Sequence, residues 1–239
     1  MPLPLVVISG WAMPPGAIED CLPEDRTIHW LTPEQLAGAC SQGIAEGIDD
    51  WLGQLPDHAV WVGWSLGGQL AMSASELFPG RIATVITLCS SPCFVAGPDW
   101  THGVSPALFD EFRQRLARSP QATLEHFCSL MLYGASGAKA QRRALRARDW
   151  PMLPEPGCLE RTLGWLGGLD QRELWRHPVV PARHLFGEMD SLVSVTTARA
   201  LGLPSHRWQA IAGMAHWPGG RFAGEALCRI NAWLDQVVS

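Results

Sequence analysis

Charge is scarce in this chain. Only 17% of its 239 residues are charged, and the net charge is −5. No segment is basic enough to track a phosphate backbone, which argues against nucleic acid as a partner. No run of eighteen uncharged apolar residues occurs, so a transmembrane helix is not expected and no membrane partner is inferred. The opening stretch, residues 1–10, has no basic residue ahead of its apolar part and no small-residue cleavage site behind it. It reads as a buried first strand, with the cytoplasm as the expected compartment. Disulfide scaffolding is also missing: the seven cysteines are odd in number and form no CxxC pair. Cys89 and Cys93 lie four apart, but no His or second Cys pair stands near enough to complete a zinc site. No metal and no cofactor are expected. Repeats and low-complexity tracts are absent as well.

What is present suits a sizeable core, with 47% apolar residues. The charge is unevenly spread. Residues 93–176 carry eleven Lys/Arg against nine Asp/Glu, whereas the remainder is strongly acidic. Strand-like runs are predicted at Leu5–Ser9, Thr27–Leu31, Ala59–Trp64 and Ala83–Cys89. Helices are predicted at Pro33–Leu55, with Thr32 as N-cap, and at Leu66–Phe78. From 105 to 176 the pattern is helical throughout, at Pro106–Arg118, Gln121–Leu132, Ala138–Arg148 and Cys158–Leu169. Strands return at Ala182–Gly187 and Arg207–Ala212, and a helix over Gly220–Val238 closes the chain. This order predicts an α/β fold, a mostly parallel sheet flanked by helices. Residues 1–92 and 177–239 form the expected core. Residues 93–176 form a helical lid over the carboxyl edge of the sheet, where such folds bind ligands.

The chemistry centres on Gly63-Trp64-Ser65-Leu66-Gly67. Gly-x-Ser-x-Gly alone is a weak signal. Here it follows a buried strand and opens a helix, the setting that makes its serine a nucleophile. A serine hydroxyl needs a base, and the base and its acid are expected late in the chain, after strands ending at the same sheet edge. Gly187-Glu188-Met189-Asp190 follows one such strand, and Gly213-Met214-Ala215-His216 follows the other. Of eight histidines, His216 alone sits just past a strand end after the acid. Asp190 competes with the adjacent Glu188 and is the better placed. The oxyanion that forms on attack needs two N–H donors: Leu66, next to the nucleophile, and Trp11, in the loop after the first strand.

The run Trp61-Val62-Gly63-Trp64-Ser65-Leu66-Gly67-Gly68, the stretch Ser90-Ser91-Pro92-Cys93-Phe94 and the Asp190 and His216 contexts resemble the α/β-hydrolase family of biotin-pathway carboxylesterases, over about residues 58–239. That family removes the methyl ester of a pimeloyl group carried on acyl-carrier protein. The resemblance implies a serine carboxylesterase using Ser65, Asp190 and His216. It places Trp11 and Leu66 at the oxyanion and substrate positions, and Phe127, Cys128, Ser129, Leu130 and Met131 against the acyl chain. It further implies acyl-carrier protein as partner, docked on basic lid residues: Lys139 and Arg143 fall at matching places, and Arg142, Arg146 and Arg148 add to the patch. A monomer is expected. Two departures stand out. The family's His-Gly-Trp is Ser9-Gly10-Trp11 here, and an Asp-x-x-Gly-x-Gly-x-Ser turn is missing after Leu31. A different oxyanion-loop arrangement is therefore expected. A broader esterase or thioesterase for short acyl groups is the alternative.

Overall fold

The structure, a computed structural model, describes residues 2–38, 43–148 and 155–237. Six strands form one parallel sheet: β1 (Leu5–Ile8), β2 (Ile28–Leu31), β3 (Ala59–Trp64), β4 (Ile82–Leu88), β5 (Ala182–Gly187) and β6 (Trp208–Ile211), in the order β2-β1-β3-β4-β5-β6. β1 and β3 are buried at every residue, as strands covered by helices on both faces must be. This is why they read as unbroken apolar runs. Every strand end that carries a candidate site residue points to the same carboxyl edge. The strand order reverses between β1 and β3, which opens the crevice there.

Helix α1 (Pro33–Leu36) begins one residue after β2. It is closed at its start by a capping box: Thr32 Oγ1 accepts from Gln35 N at 3.1 Å, and Gln35 Oε1 accepts from Thr32 N at 2.7 Å. The single helix expected over 33–55 is corrected here. The chain leaves α1 at Ala37-Gly38 and resumes as α2 (Ile44–Leu52). Glycines at 38 and 43 flank the interruption, and glycine's backbone entropy weakens a helix there. Helix α3 (Leu66–Leu77) follows β3. Between β4 and β5 lie α4 (Pro106–Arg118), α5 (Pro120–Met131), α6 (Ala138–Arg146), α7 (Pro156–Gly168) and α8 (Arg172–Arg176). Helix α6 stops at Arg146, two residues short of the helix expected over 138–148. A 3₁₀ helix over Pro15–Cys21 and the short helix α9 (Thr196–Ala200) went unforeseen, and α8 falls in the stretch read as helical without having been singled out. The last helix, α10 (Ala223–Leu234), is preceded by a 3₁₀ turn over Gly220–Phe222. Among the described residues no helix is long and apolar enough to cross a membrane.

The join between β3 and α3 leaves no room. A Cβ on Gly67 would lie 2.2 Å from the Ile8 carbonyl oxygen and 2.5 Å from that of Ser9. Both are backbone atoms of the neighbouring strand and its exit, so neither yields. Gly67→Ala is expected to cost about 3 kcal/mol or more, read as a fall of roughly 6–12 °C in the thermal midpoint for a chain of this size. An unchanged midpoint would show that α3 sits further from β1 than described.

Candidate active site

Ser65 stands between the last residue of β3 and the first of α3, with φ 55° and ψ −120°. A non-glycine residue in that region stores of the order of 1–3 kcal/mol, so the surroundings must hold it. They do so by three bonds: Ser65 N donates to Leu88 O at 2.9 Å, Ser90 Oγ donates to Ser65 O at 2.7 Å, and Gly68 N donates to the same carbonyl at 2.9 Å. The side chain is thereby lifted to the sheet edge at the positive end of α3, among the helix's first N–H groups.

His216 and Asp190 arrive from the ends of β6 and β5. His216 Nε2 lies 2.9 Å from Ser65 Oγ, and His216 Nδ1 lies 2.8 Å from Asp190 Oδ2. The other carboxylate oxygen, Oδ1, accepts from the N–H groups of Leu192 and Val193, both at 2.9 Å. Asp190 is thus held on both sides, and only a carboxylate that accepts from all three donors fits the arrangement. Met131 O accepts from His216 N at 3.0 Å, and His216 O accepts from Trp64 Nε1 at 2.8 Å. The histidine loop is therefore tied both to α5 and to β3, the strand that ends beside Ser65. The side chains of His216 and Asp190 are buried, 1% and 0% exposed, so water does not compete for these bonds. Glu188, the rival acid, is exposed. The other fully buried histidine, His184, has a packing role. It stacks on Trp175 at 4.0 Å, bonds Thr87 through Nδ1, and is kept neutral by burial and the nearby cations of Arg207 and Arg183.

Trp11 is buried in the loop after β1. Its indole N–H donates to Leu159 O of α7 at 3.1 Å, and its ring packs edge-on against Phe112 and Phe127. Beside it lies an apolar cavity of about 560 Å³ between α4, α5 and α7, within the range of small-molecule sites. Ser65 does not line it. Trp11 and the Ser191-Leu192 pair that follows Asp190 do, and these are the residues that relate it to the Asp190–His216–Ser65 chain. Much of its wall went unforeseen: Phe109, Phe112, Leu163 and Leu166 recur at helical spacing. That pattern is identical to the one that buries a helix in a core, so it carries no separate signal.

The segment 127–131, expected against the acyl chain, does not present a single surface. It is a turn and a half of α5, so its side chains diverge. Phe127 and Leu130 line the cavity. Cys128 and Ser129 line a separate groove with Arg142 and Arg146, and Met131 is fully buried. Burial pushes the Cys128 thiol up to about 11, so it is not a nucleophile at neutral pH. Lys139, Arg142, Arg143 and Arg146 are all exposed on α6, whose other face buries Gln141 and Leu145. Arg148 leaves this group: it is half-buried, bonding Asp20 and the Gly16 carbonyl. Among the described residues no cluster of His, Cys, Asp and Glu is arranged to hold a metal.

Comparison with known proteins places the molecule. Residues 43–220 match the sequence family of the alpha/beta hydrolase fold. The chain is 32% identical over 244 residues to a pimeloyl-[acyl-carrier protein] methyl ester esterase of Citrobacter koseri, covering 98% of this chain and 94% of the relative. It belongs to that esterase family, within the α/β hydrolases. The likeness reaches further into the first third than the residues quoted from 58 onward. Among solved structures, a bromoperoxidase of Bacillus anthracis shares the fold at a TM-score of 0.79 and 20% identity, over 98% of this chain and 92% of that one. An esterase of Exiguobacterium antarcticum does so at 0.73 and 13%, over 98% and 93%. This esterase is a carboxylic ester hydrolase.

Proposed function

We propose that the esterase hydrolyses the methyl ester of a pimeloyl group carried on acyl-carrier protein, in biotin biosynthesis, with Ser65 as nucleophile. The observation that carries the mechanism is the unbroken hydrogen-bonded chain Asp190–His216–Ser65. His216 Nε2 takes the Ser65 proton as Oγ attacks the ester carbonyl, and the imidazolium is stabilised by Asp190. The N–H groups of Leu66 and Trp11 receive the oxyanion. The imidazolium then gives its proton to the departing methoxide, so methanol leaves and an acyl-serine remains. Water, deprotonated by the same histidine, releases the free acid and restores Ser65.

The relative's substrate and the placement of charge support the carrier-bound acyl chain. One face of α5 contributes Phe127 and Leu130 to the apolar cavity; its other side forms a groove with Arg142 and Arg146 of α6. A carrier docked on α6 would be one helix away from the channel its acyl arm enters. In this reading residues 93–176 are the lid. The apolar lining also admits the second reading, a broader short-acyl esterase or thioesterase, because it selects for grease and not for a carrier.

The direct test is incubation with pimeloyl-acyl-carrier-protein methyl ester and detection of the free acid by mass. Growth rescue of a biotin-requiring strain lacking its own esterase is the cellular counterpart. Replacing Arg142, Arg143 and Arg146 together by Glu is expected to lower kcat/KM on the carrier-bound ester by about 10- to 100-fold. Activity on p-nitrophenyl butyrate should stay within about twofold, since nothing at Ser65 changes. Equal losses on both esters would remove the docking role of α6.

A further inference from the structure

The loop after β1, which carries Trp11, is held by contacts from outside it. Gly10–Met13 is a turn closed by Met13 N donating to Gly10 O at 3.1 Å, with Ala12 at φ 55°. That left-handed position favours glycine, and alanine there relaxes unless something restrains it. The restraint is Glu34: its Oε1 accepts from Ala12 N at 2.9 Å, and the residue is only 9% exposed. Ser9 Oγ adds a bond to Met13 O at 2.8 Å. Because α1 starts directly after β2 and its capping box sets its first turn, Glu34 on that turn faces the loop. Burial pushes the carboxyl pKa up. The N–H groups of Ala12 and of Glu34 itself, with the Thr32 and Thr162 hydroxyls, pull it back. A buried acid is an expensive anchor, and what it anchors is the residue beside Trp11.

We propose that Glu34 is a positioning residue for the oxyanion hole: by holding the Ala12 N–H it fixes the turn that presents the Trp11 N–H to the developing oxyanion. It touches no substrate and acts through the loop alone. The proposal rests on the reading of Ser65 and Trp11 given above. Freed of Glu34, the turn relaxes toward negative φ at Ala12, and Trp11 moves off its mark.

Two near-isosteric variants separate reach from charge. Glu34→Asp keeps the charge and retracts the oxygens by one methylene; Glu34→Gln keeps the reach and loses the charge. With p-nitrophenyl butyrate, Glu34→Asp is expected to lower kcat about 10- to 100-fold with KM within about twofold. It should also weaken inhibition by a trifluoromethyl ketone, whose serine adduct places an oxyanion in the hole, by a similar factor. Glu34→Gln should stay within about fivefold of wild type in both measurements, because its amide oxygen still reaches Ala12. A purely structural role would lower the thermal midpoint and leave kcat and ketone affinity of the folded fraction unchanged. That outcome overturns the proposal, as does a Glu34→Gln loss equal to or greater than that of Glu34→Asp. Should Glu34→Asp not fold, a tenfold or greater loss of kcat and of ketone affinity in Glu34→Gln overturns it, and retention of both supports it. Ser65→Ala is the control: if it keeps the wild-type rate, the reading of the site beneath the proposal fails, whereas a dead Ser65→Ala beside an unimpaired Glu34→Asp sinks the positioning role alone.

Discussion

Ser65→Ala is expected to lower kcat on p-nitrophenyl butyrate by about 10⁴- to 10⁶-fold, the loss that follows when a serine hydrolase is left with only its binding site and oxyanion donors. No other side chain can take over. Cys89 is fully buried just past the end of β4, and burial together with the Asp190 charge pushes its thiol pKa well up. Cys128 faces the α6 groove. The folded state should be barely affected. Alanine bears the same φ as serine at the elbow, the three backbone bonds around residue 65 remain, and only one side-chain hydrogen bond is lost, worth about 1 kcal/mol. A variant that melts near the wild-type temperature but is inactive toward the ester, and no longer labels with a fluorophosphonate, meets the expectation. More than about a hundredth of the wild-type rate in a folded Ser65→Ala would mean that the hydrolysis occurs elsewhere.

Asp190→Asn is expected to cost about 10⁴-fold in kcat. The geometry explains why so small a change does so much. Asp190 Oδ2 accepts from His216 Nδ1 while Oδ1 accepts from Leu192 N and Val193 N. An Asn side chain has one acceptor oxygen. If that oxygen stays on the two backbone N–H groups, the amide NH₂ faces Nδ1 and forces the imidazole to carry its proton on Nε2, where it cannot accept from Ser65. If the amide flips, it sets NH₂ against two N–H donors instead. The flipped form would keep the Nδ1–H tautomer but at the cost of that double clash, so the unflipped form prevails and the base is lost while the shape is kept. The imidazole tautomer, read by ¹⁵N NMR on His216, should change from Nδ1–H to Nε2–H. A loss under tenfold would return the acid's role to another carboxylate, and the exposed Glu188 two residues away is the one to test.

Most of this site was legible in the chain because each part of it is local. Ser65 sits in a five-residue motif whose neighbours are dictated by a single strand-to-helix turn. Asp190 and His216 each lie within five residues of a strand end, and parallel strands must end at one edge. The order β, α, insertion, β, α follows from switches in hydrophobic period, which a reader can see without coordinates. Thr32 as a cap was likewise legible, since its partner is three residues on.

The illegible parts depend on contacts between segments distant in the chain. The helix expected over 33–55 broke after Leu36, and its first turn was claimed by the loop after β1: Glu34 reaches Ala12 across 22 residues. Nothing in the composition of Pro33-Glu34-Gln35-Leu36 distinguishes a buried acid from the acidic first turn that any helix prefers. The segment 127–131 could be placed on a helix, but only the packing of α5 between the cavity and α6 decides that Phe127 and Leu130 face the cavity while Cys128 and Ser129 turn away. Arg148 is drawn from the basic face by Asp20, 128 residues off. Short-range order thus singles out the candidates for the chemistry, because backbone geometry and hydrophobic period act over a few residues. The tertiary fold settles what holds the loop after β1 and what lines the apolar cavity, because burial and hydrogen bonding there are made between elements that meet only when the sheet closes.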